Sequence, residues 1–466
     1  MGTILSGGRI VTPQETINAD IKFENGIIVA IEKNIKAEEN DEVIAINGSY
    51  VLPGAIDTHT HFDLDTGVMK TADDFKTGTL AAIAGGTTTI LDFATQDKGD
   101  SLENALKVWH EKARNVSFCD YGFHMAITDW NEKTSKSMEQ MIKDGVSSFK
   151  MYMAYKGTLQ VDDGEIYEAL KRSKEVGAII GFHCENGDMV VELAKEHINK
   201  GLVAPKYHPQ SRPSELEAEA ISRVTKIAKL ADSPLYVVHL SSEEGLKEAR
   251  EARKNGVKVY LETCPQYLLL DDSSYEGTAE DSFNGAKYVM SPPLRKKKDG
   301  VALWNALKDG EIEVTGTDHC SFNYKGQKSV GKDDFRNIPN GGPGVEHRLL
   351  LMYQHGVIEN KFSINKLSEL LSTNAAKFFG MYPKKGIVQC GSDADLVVLN
   401  PNKDFVISSK NQHQNVDYTP YDGYRIDGNI DYVFLRGEKV ILDNNLNIKE
   451  PKGKYVQRNS FKGGCL

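Results

Sequence analysis

The sequence predicts an α/β protein: a (β/α)8 TIM-like barrel with insertions, carrying a small β-sandwich domain assembled from both chain ends. Three observations lead there. Through the middle of the chain, short apolar strand runs alternate eight times with helical stretches over roughly 330 residues, as a parallel barrel requires. Both ends are instead short strands between Gly, Asn and Asp turns, without a long helical pattern. The ionisable residues of the middle collect where apolar runs meet loops, and barrels carry their chemistry on the C-terminal ends of strands. The expected divisions are 1–50 and 386–466 for the two halves of the β domain and its tail, with 51–385 for the barrel. A doubly wound open sheet is the rival, but no GxGxxG follows a first strand.

Taken in order, GTILSGG, ADIKFENG and GIIVAIEKN open the chain with β-branched residues stopped by Gly or Asn. The barrel strands follow as VLPGAIDTHTH, TTTILDFAT, YGFHMAIT, SSFKMYMA, AIIGFHCE, LYVVHLSS, VKVYLETCP and IEVTGTDH. Amphipathic runs such as SLENALKVWHEKARN, ELEAEAISRVTKIAKLA and EEGLKEAREARKNG lie between them and read as the covering helices. GSDADLVVLN, VDYTPYDGYRIDGNI and YVFLRGEKVILDN return to short strands.

Composition narrows the function classes. The chain has 466 residues, is 40% hydrophobic and 26% charged, and carries a net charge of −10. An acidic balance argues against general nucleic-acid binding, which needs clustered Lys and Arg. Six cysteines are scattered without a CxxC pair, which fits a reduced, cytoplasmic chain. The opening MGTILSGGRIVTPQ reads as no signal peptide, no apolar run reaches membrane-spanning length, and Cys465-Leu466 is two residues short of a prenylation box.

The chemistry begins at His59-Thr60-His61. Residues i and i+2 of a strand share a side, so both imidazoles can reach one metal at about 2.0–2.1 Å. Asp57, on the same side, can orient a ligand or bind directly. A lone HxH is more simply polar residues leaving a strand; beside the other strand ends it reads as a metal site. His183 and His239 each end a later strand and could singly be core histidines, but with His59 and His61 they supply four nitrogen ligands. Asp318 in VTGTDHC offers a carboxylate for a metal and for proton transfer, where its plain alternative is a turn or cap residue. Lys150 lies inside the apolar SFKMYMA, where a bare ammonium costs several kcal/mol. Two solutions stay open from the residues alone: an ion pair with a buried carboxylate, or a neutral amine that takes up CO2 as a carbamate. His319 should point away from the site, and His124 reads as a core residue. Cys184, Cys264 and Cys320 read as small apolar fillers, with a Cys184–His nucleophile as the rival catalyst.

The segments GAIDTHTHFD, DDFKTGTLAAIAGGTTTILDF, SSFKMYMAYKG, HCEN, SRPSELEAEAI, VVHLSS, ETCPQYLLLD, SPPLR, GTDHC and KDDFRNIPNG are numerous, ordered and collinear. On them, from about residue 45 to 400, the chain resembles the dihydropyrimidinase/hydantoinase family of cyclic amidohydrolases. The resemblance implies two divalent metal ions per subunit, with zinc expected. His59 and His61 match the ligands of the buried metal, and His183 and His239 those of the more exposed one. Lys150 matches a bridging N6-carboxylysine, and Asp318 the last ligand and proton shuttle. Tyr155 matches the residue that stabilises the oxyanion. The backbone at Ser291 and Asn340 matches the positions that hydrogen-bond the cyclic imide or ureide.

That family hydrolyses the ring amide of 5-substituted hydantoins or dihydropyrimidines to N-carbamoyl amino acids. The resemblance therefore implies a small cyclic amide as partner, neither nucleic acid nor membrane, and a homotetramer. After His61 the loop FDLDTGVMKTADDF departs from the apolar stretch of many relatives, placing Asp65 and Thr66 where substituent contacts often stand. Tyr152 and Leu159 are the other expected contacts. The loop wording is nearer the bacterial D-phenylhydantoinase type, which favours an aryl substituent. The alternatives are a non-catalytic assembly protein of the same fold, and allantoinase or dihydroorotase activity. All six metal positions being filled argues against the first, and no basic residue is singled out for an orotate-type carboxylate.

Overall fold

A computed structural model describes residues 2–443 and 445–463, so Cys465 and Leu466 lie outside the described residues. The chain starts with β1 (Thr3–Val11), β2 (Thr16–Glu24), β3 (Ile27–Glu32), β4 (Glu42–Ala45) and β5 (Tyr50–Pro53). β1 pairs antiparallel with β2, and its register shifts between Leu5 and Gly8. Before the shift it pairs with β4, and after it with β5. Gly7, at φ 73°, takes the left-handed turn this requires.

The barrel follows as β6 (Ala55–Thr60), β7 (Thr87–Thr95), β8 (Asp120–Ala126), β9 (Ser148–Tyr152), β10 (Ile179–His183), β11 (Leu235–Val237), β12 (Val259–Thr263) and β13 (Val314–Thr315). These eight form one sheet in strict chain order, with parallel pairing. Backbone bonds close it just beyond β13: His61 N–H donates to His319 O at 2.8 Å, and His319 N–H to His59 O at 3.3 Å. The closing seam thus runs through the first-strand histidines. Helices cover the outside where expected, at Leu102–Ala113, Ser214–Ala231 and Glu243–Lys254. The last of these turns Leu246, Ala249 and Ala252 inward and is capped by Ser242, whose Oγ accepts from Gly245 N–H at 3.0 Å.

The chain then returns through β14 (Leu396–Asn400), the two-residue pair β15 (Phe405–Val406) and β16 (Arg425–Ile426), and β17 (Asn429–Leu435), β18 (Glu438–Leu442) and β19 (Asn445–Leu446). β14 pairs with β5, which joins the two chain ends in one nine-stranded sheet around its own core of Leu5, Ile10, Ile21, Phe23, Val51, Leu396 and Phe434. The molecule is a TIM barrel plus a β sandwich.

Three expectations need correction. VLPGAIDTHTH is two strands in two sheets, not one: β5 belongs to the sandwich and β6 to the barrel. The break is Gly54, where any Cβ would meet Thr88 Oγ1 at 2.1 Å. VDYTPYDGYRIDGNI is mostly irregular, contributing β16 and the start of β17. The later barrel strands are also shorter than their apolar runs, so His61, His239 and Asp318 sit just past β6, β11 and β13 rather than in them. The C-terminal tail runs past the opposite end of the barrel. Val456 N–H donates to Tyr121 O at 2.8 Å and Phe461 N–H to Gly177 O at 2.8 Å, while buried Arg458 reaches Ser148 Oγ at 2.8 Å. No helix of the described residues is long and apolar enough to cross a membrane.

Candidate active site

Alternation along β9 sends Ser148, Lys150 and Tyr152 to one face, into the barrel. Lys150 Nζ lies 3.0 Å from His59 Nε2, over the Phe93 ring at 4.2 Å and the Tyr152 ring at 5.0 Å. It makes no ion pair among the described residues. Burial pushes its amine down to about 8, against the pull of Asp318 and Glu262. The ion-pair solution is therefore not the one adopted by this side chain.

Around it the other residues converge. His59 Nε2 and His61 Nε2 stand 3.1 and 3.2 Å from the same oxygen, Asp318 Oδ1. His183 Nδ1 faces His239 Nε2 at 3.0 Å, and the His59 and His239 rings are 5.4 Å apart. Ligand atoms of His59, His239 and Asp318 all fit within 4.8 Å of one another. Asp318, with 15% of its side chain exposed, is the point at which the buried set meets solvent. Tyr155, His239 and Asp318 adopt left-handed backbones at φ 68°, 42° and 52°. Such conformations cost non-glycine residues of order 1–3 kcal/mol and persist where the surroundings impose them. Here three of them lie at one end of the barrel, just past β9, β11 and β13.

Protonation favours ligands at three of the four histidines. Burial lowers His61 to about 4, and lowers His183 and His239, leaving neutral imidazoles with free lone pairs. For His59, burial and Lys150 pull downward but the Asp318 and Glu262 carboxylates outweigh them and raise it. Burial alone would raise the Asp318 carboxyl; the His59 charge and the bonds from both histidines hold it well below the usual range.

The second tier escaped the sequence reading. Glu262, on β12, sits 2.6 Å from His59 Nδ1 and accepts from Thr58 Oγ1 at 2.8 Å and Tyr236 OH at 2.6 Å. Taking the Nδ1 proton aims Nε2 into the site. Glu185 does the same for His183, at 2.7 Å from Nε2, and is itself held by Arg212 Nη1 at 2.7 Å. Both acids carried the signal that marked Lys150, an ionisable residue in or next to an apolar strand. Asp57 is not a ligand: its oxygens accept from His59 N–H, Thr317 N–H and Thr317 Oγ1, pinning β6 to the end of β13.

His319 points away, to Asp73 Oδ2 at 3.0 Å, and His124 is a satisfied interior residue bonded to Ser148 Oγ and Thr58 O. The buried Cys184, Cys264 and Cys320 thiols are pushed up by burial, which removes the thiolate a cysteine nucleophile needs.

Tyr155 lies tilted against the His183 ring at 5.1 Å, with burial raising its phenol above the ordinary value against the pull of Arg212. The Ser291 and Asn340 segments meet, since Gly341 N–H donates to Val289 O at 3.0 Å. Cys320 N–H bonds Gly342 O at 3.1 Å, tying them to the Asp318 loop. Ser291 Oγ and Asn340 Oδ1 are buried without hydrogen-bond partners among the described residues. Tyr152 belongs to β9 itself rather than to a loop, and is part of the wall. Asp65 and Thr66 are exposed and spend their side chains inside their own loop, on Gly67 N–H and Met69 O; neither reaches the site residues. Leu159, half-buried, is tied back to Tyr155 O through its N–H at 3.1 Å.

The donor set fits divalent cations. His183 Nδ1 and His239 Nε2, on neutral imidazoles, aim at each other, and His59 Nε2 and His61 Nε2 aim at one carboxylate oxygen, arrangements a shared cation satisfies. A barrel with such a donor set on its C-terminal face defines an amidohydrolase. The sequence model of the Amidohydrolase family matches residues 50–440, and the chain belongs to that family. Within it, the chain is 43% identical to a D-hydantoinase of Geobacillus stearothermophilus, over 99% of this chain and 97% of that one. It is 39% identical to a D-phenylhydantoinase of Escherichia coli, over 99% of both. The crystal structure of dihydropyrimidinase from Brevibacillus agri NCHU1002 superposes with a TM-score of 0.96 at 42% identity, covering 99% of this chain and 100% of that one.

Proposed function

We propose that the protein is a metal-dependent cyclic amidohydrolase that opens the ring amide of cyclic ureides, 5-substituted hydantoins or dihydropyrimidines, to N-carbamoyl amino acids. The observation that carries this is the convergence of His59, His61, Lys150, His183, His239 and Asp318 beside Tyr155 at one barrel mouth. The full-length relatives named D-hydantoinase and dihydropyrimidinase support the substrate class.

His59, His61 and Asp318 would hold one cation and His183 and His239 the other, with Lys150 carboxylated as the bridging ligand and zinc as the metal. When bound, such a pair supplies Lewis acidity and brings the pKa of water toward neutrality. Asp318, ionised across the neutral range, accepts the proton of the attacking water and delivers it to the ring nitrogen as the C–N bond breaks. Tyr155 donates its O–H to the oxygen on which negative charge develops. Backbone groups at Ser291 and Asn340 hold the ring, and the buried walls exclude bulk water. Replacing Tyr155 by Phe should lower kcat by about 10²–10³-fold while KM moves little, because the lost donor acts on the transition state. Steady-state kinetics check this, and an unchanged kcat removes Tyr155 from the role.

The complete donor set disfavours a non-catalytic assembly role. Arg212 lies over the Tyr155 ring at 5.8 Å, but its guanidinium is committed to Glu185, which disfavours a substrate carrying its own carboxylate, as in dihydroorotase. The reading extends to a homotetramer, on the family resemblance, and to the cytoplasm, supported by five unpaired cysteines among the described residues. Assaying hydantoin, 5-phenylhydantoin, dihydrouracil and allantoin side by side tests the class. Turnover of either of the first two or of dihydrouracil is expected, and turnover of allantoin alone overturns it.

A further inference from the structure

Lys328 opens a short 3-10 turn, Lys328–Gly331, and its side chain is wholly buried. No carboxylate pairs with it among the described residues. Its Nζ donates to two carbonyls from separate parts of the chain, Val289 O at 2.9 Å and Pro339 O at 2.8 Å. Val289 is two residues before Ser291, and Pro339 is the residue before Asn340. The same Val289 carbonyl also accepts from Gly341 N–H at 3.0 Å, so one oxygen joins Lys328 to both segments. Met290 O, between them, is held by His208 Nε2 at 2.8 Å.

Burying a lysine without a counter-ion is costly, and a methionine would fill comparable space without that cost. What a methionine lacks is the pair of N–H donors. Burial lowers the amine to about 7, but a neutral amine still carries two N–H groups, one for each carbonyl, so the bonds survive in either protonation state.

We propose that Lys328 is a positioning residue for substrate recognition, a clip that fixes the Val289–Ser291 and Pro339–Gly341 backbones at the spacing the ring must span. This rests on the reading of Ser291 and Asn340 as the ring-binding positions. Lys328 touches neither the cations' donor set nor Tyr155, so its removal should act on binding rather than on chemistry.

The test compares the metal-loaded enzyme with Lys328→Met, and with Lys328→Gln, whose amide keeps two N–H donors on a shorter stem. Kinetics use hydantoin and dihydrouracil; metal content and hydrogen–deuterium exchange are measured on the same samples. For Lys328→Met, KM is expected to rise by about tenfold or more with kcat within about threefold. Metal per chain should stay as in the parent, and exchange should quicken at residues 289–291 and 340–341 together. Lys328→Gln should recover part of the KM. A folded, metal-loaded Lys328→Met variant with unchanged KM overturns the inference, as does a fall in kcat at constant KM. Should Lys328→Met fail to fold, Lys328→Leu, which also lacks the two donors, takes its place and is judged by the same outcomes. If the parent opens neither ring, the substrate reading fails separately, and exchange quickening at one segment or at neither still overturns the clip.

Discussion

Replacing Lys150 by Ala should abolish turnover, by about 10⁴-fold or more, and drop the metal content well below that of the parent while the chain stays folded. The argument starts from burial. Lys150 is 2% exposed and packed against Phe93 and Tyr152, with His59 Nε2 as its polar neighbour. An amine is a poor centrepiece for four imidazoles that themselves want a cation; a carboxylated amine supplies the anionic oxygens they lack. Truncation creates a cavity, which costs about 2–4 kcal/mol, but it also removes a desolvated amine, which offsets part of that loss. The variant should therefore melt cooperatively. Short carboxylates such as formate or acetate, added to it, should restore some metal and some activity by refilling the space. Full metal content and activity in Lys150→Ala would contradict the bridging role.

Asp318→Asn should cost about 10²–10⁴-fold in kcat with a smaller change in KM. Asparagine nearly reproduces the shape that faces His59 and His61, so packing changes little, but it neither takes a proton nor carries charge. Even without a cation, the His59 charge and the bonds from His59 and His61 hold the carboxyl well below its usual range. A cation held there would act in the same direction, so the base is present throughout the neutral region and is lost only in strong acid. The activity of the parent should accordingly fall on acidification only below the ordinary carboxylate range as far as Asp318 is concerned, and that limb should vanish in Asp318→Asn. A pH–rate profile of both proteins checks this; parent-like kcat in the variant would remove Asp318 from proton transfer.

Much of the barrel was readable because its strands are continuous apolar runs and its helices keep a one-sided apolar stripe, two signals of local origin. The ligands were readable for a related reason: Lys150 or His183 in an apolar strand is conspicuous without a partner. What stayed hidden depends on contacts distant in sequence. Glu262 meets His59 across 203 positions, and nothing near either residue announces the other. The left-handed turns at His239 and Asp318 place side chains that a strand-end reading leaves in line with their strands. Gly54 shows the converse, a cue that is local, since a glycine between two apolar runs marks a change of sheet. The tail at the barrel base has neither periodicity nor motif; only its bonds to Tyr121, Gly145 and Gly177 define its place.

The most direct test is a crystal of the protein purified with divalent metal, with anomalous data collected at the absorption edge of that metal. Two anomalous peaks are predicted per chain, one against His59, His61 and Asp318 and one against His183 and His239, with added density on Lys150 Nζ reaching both. No peak among these side chains, or a bare amine at position 150 in the metal-loaded, active enzyme, would contradict the account.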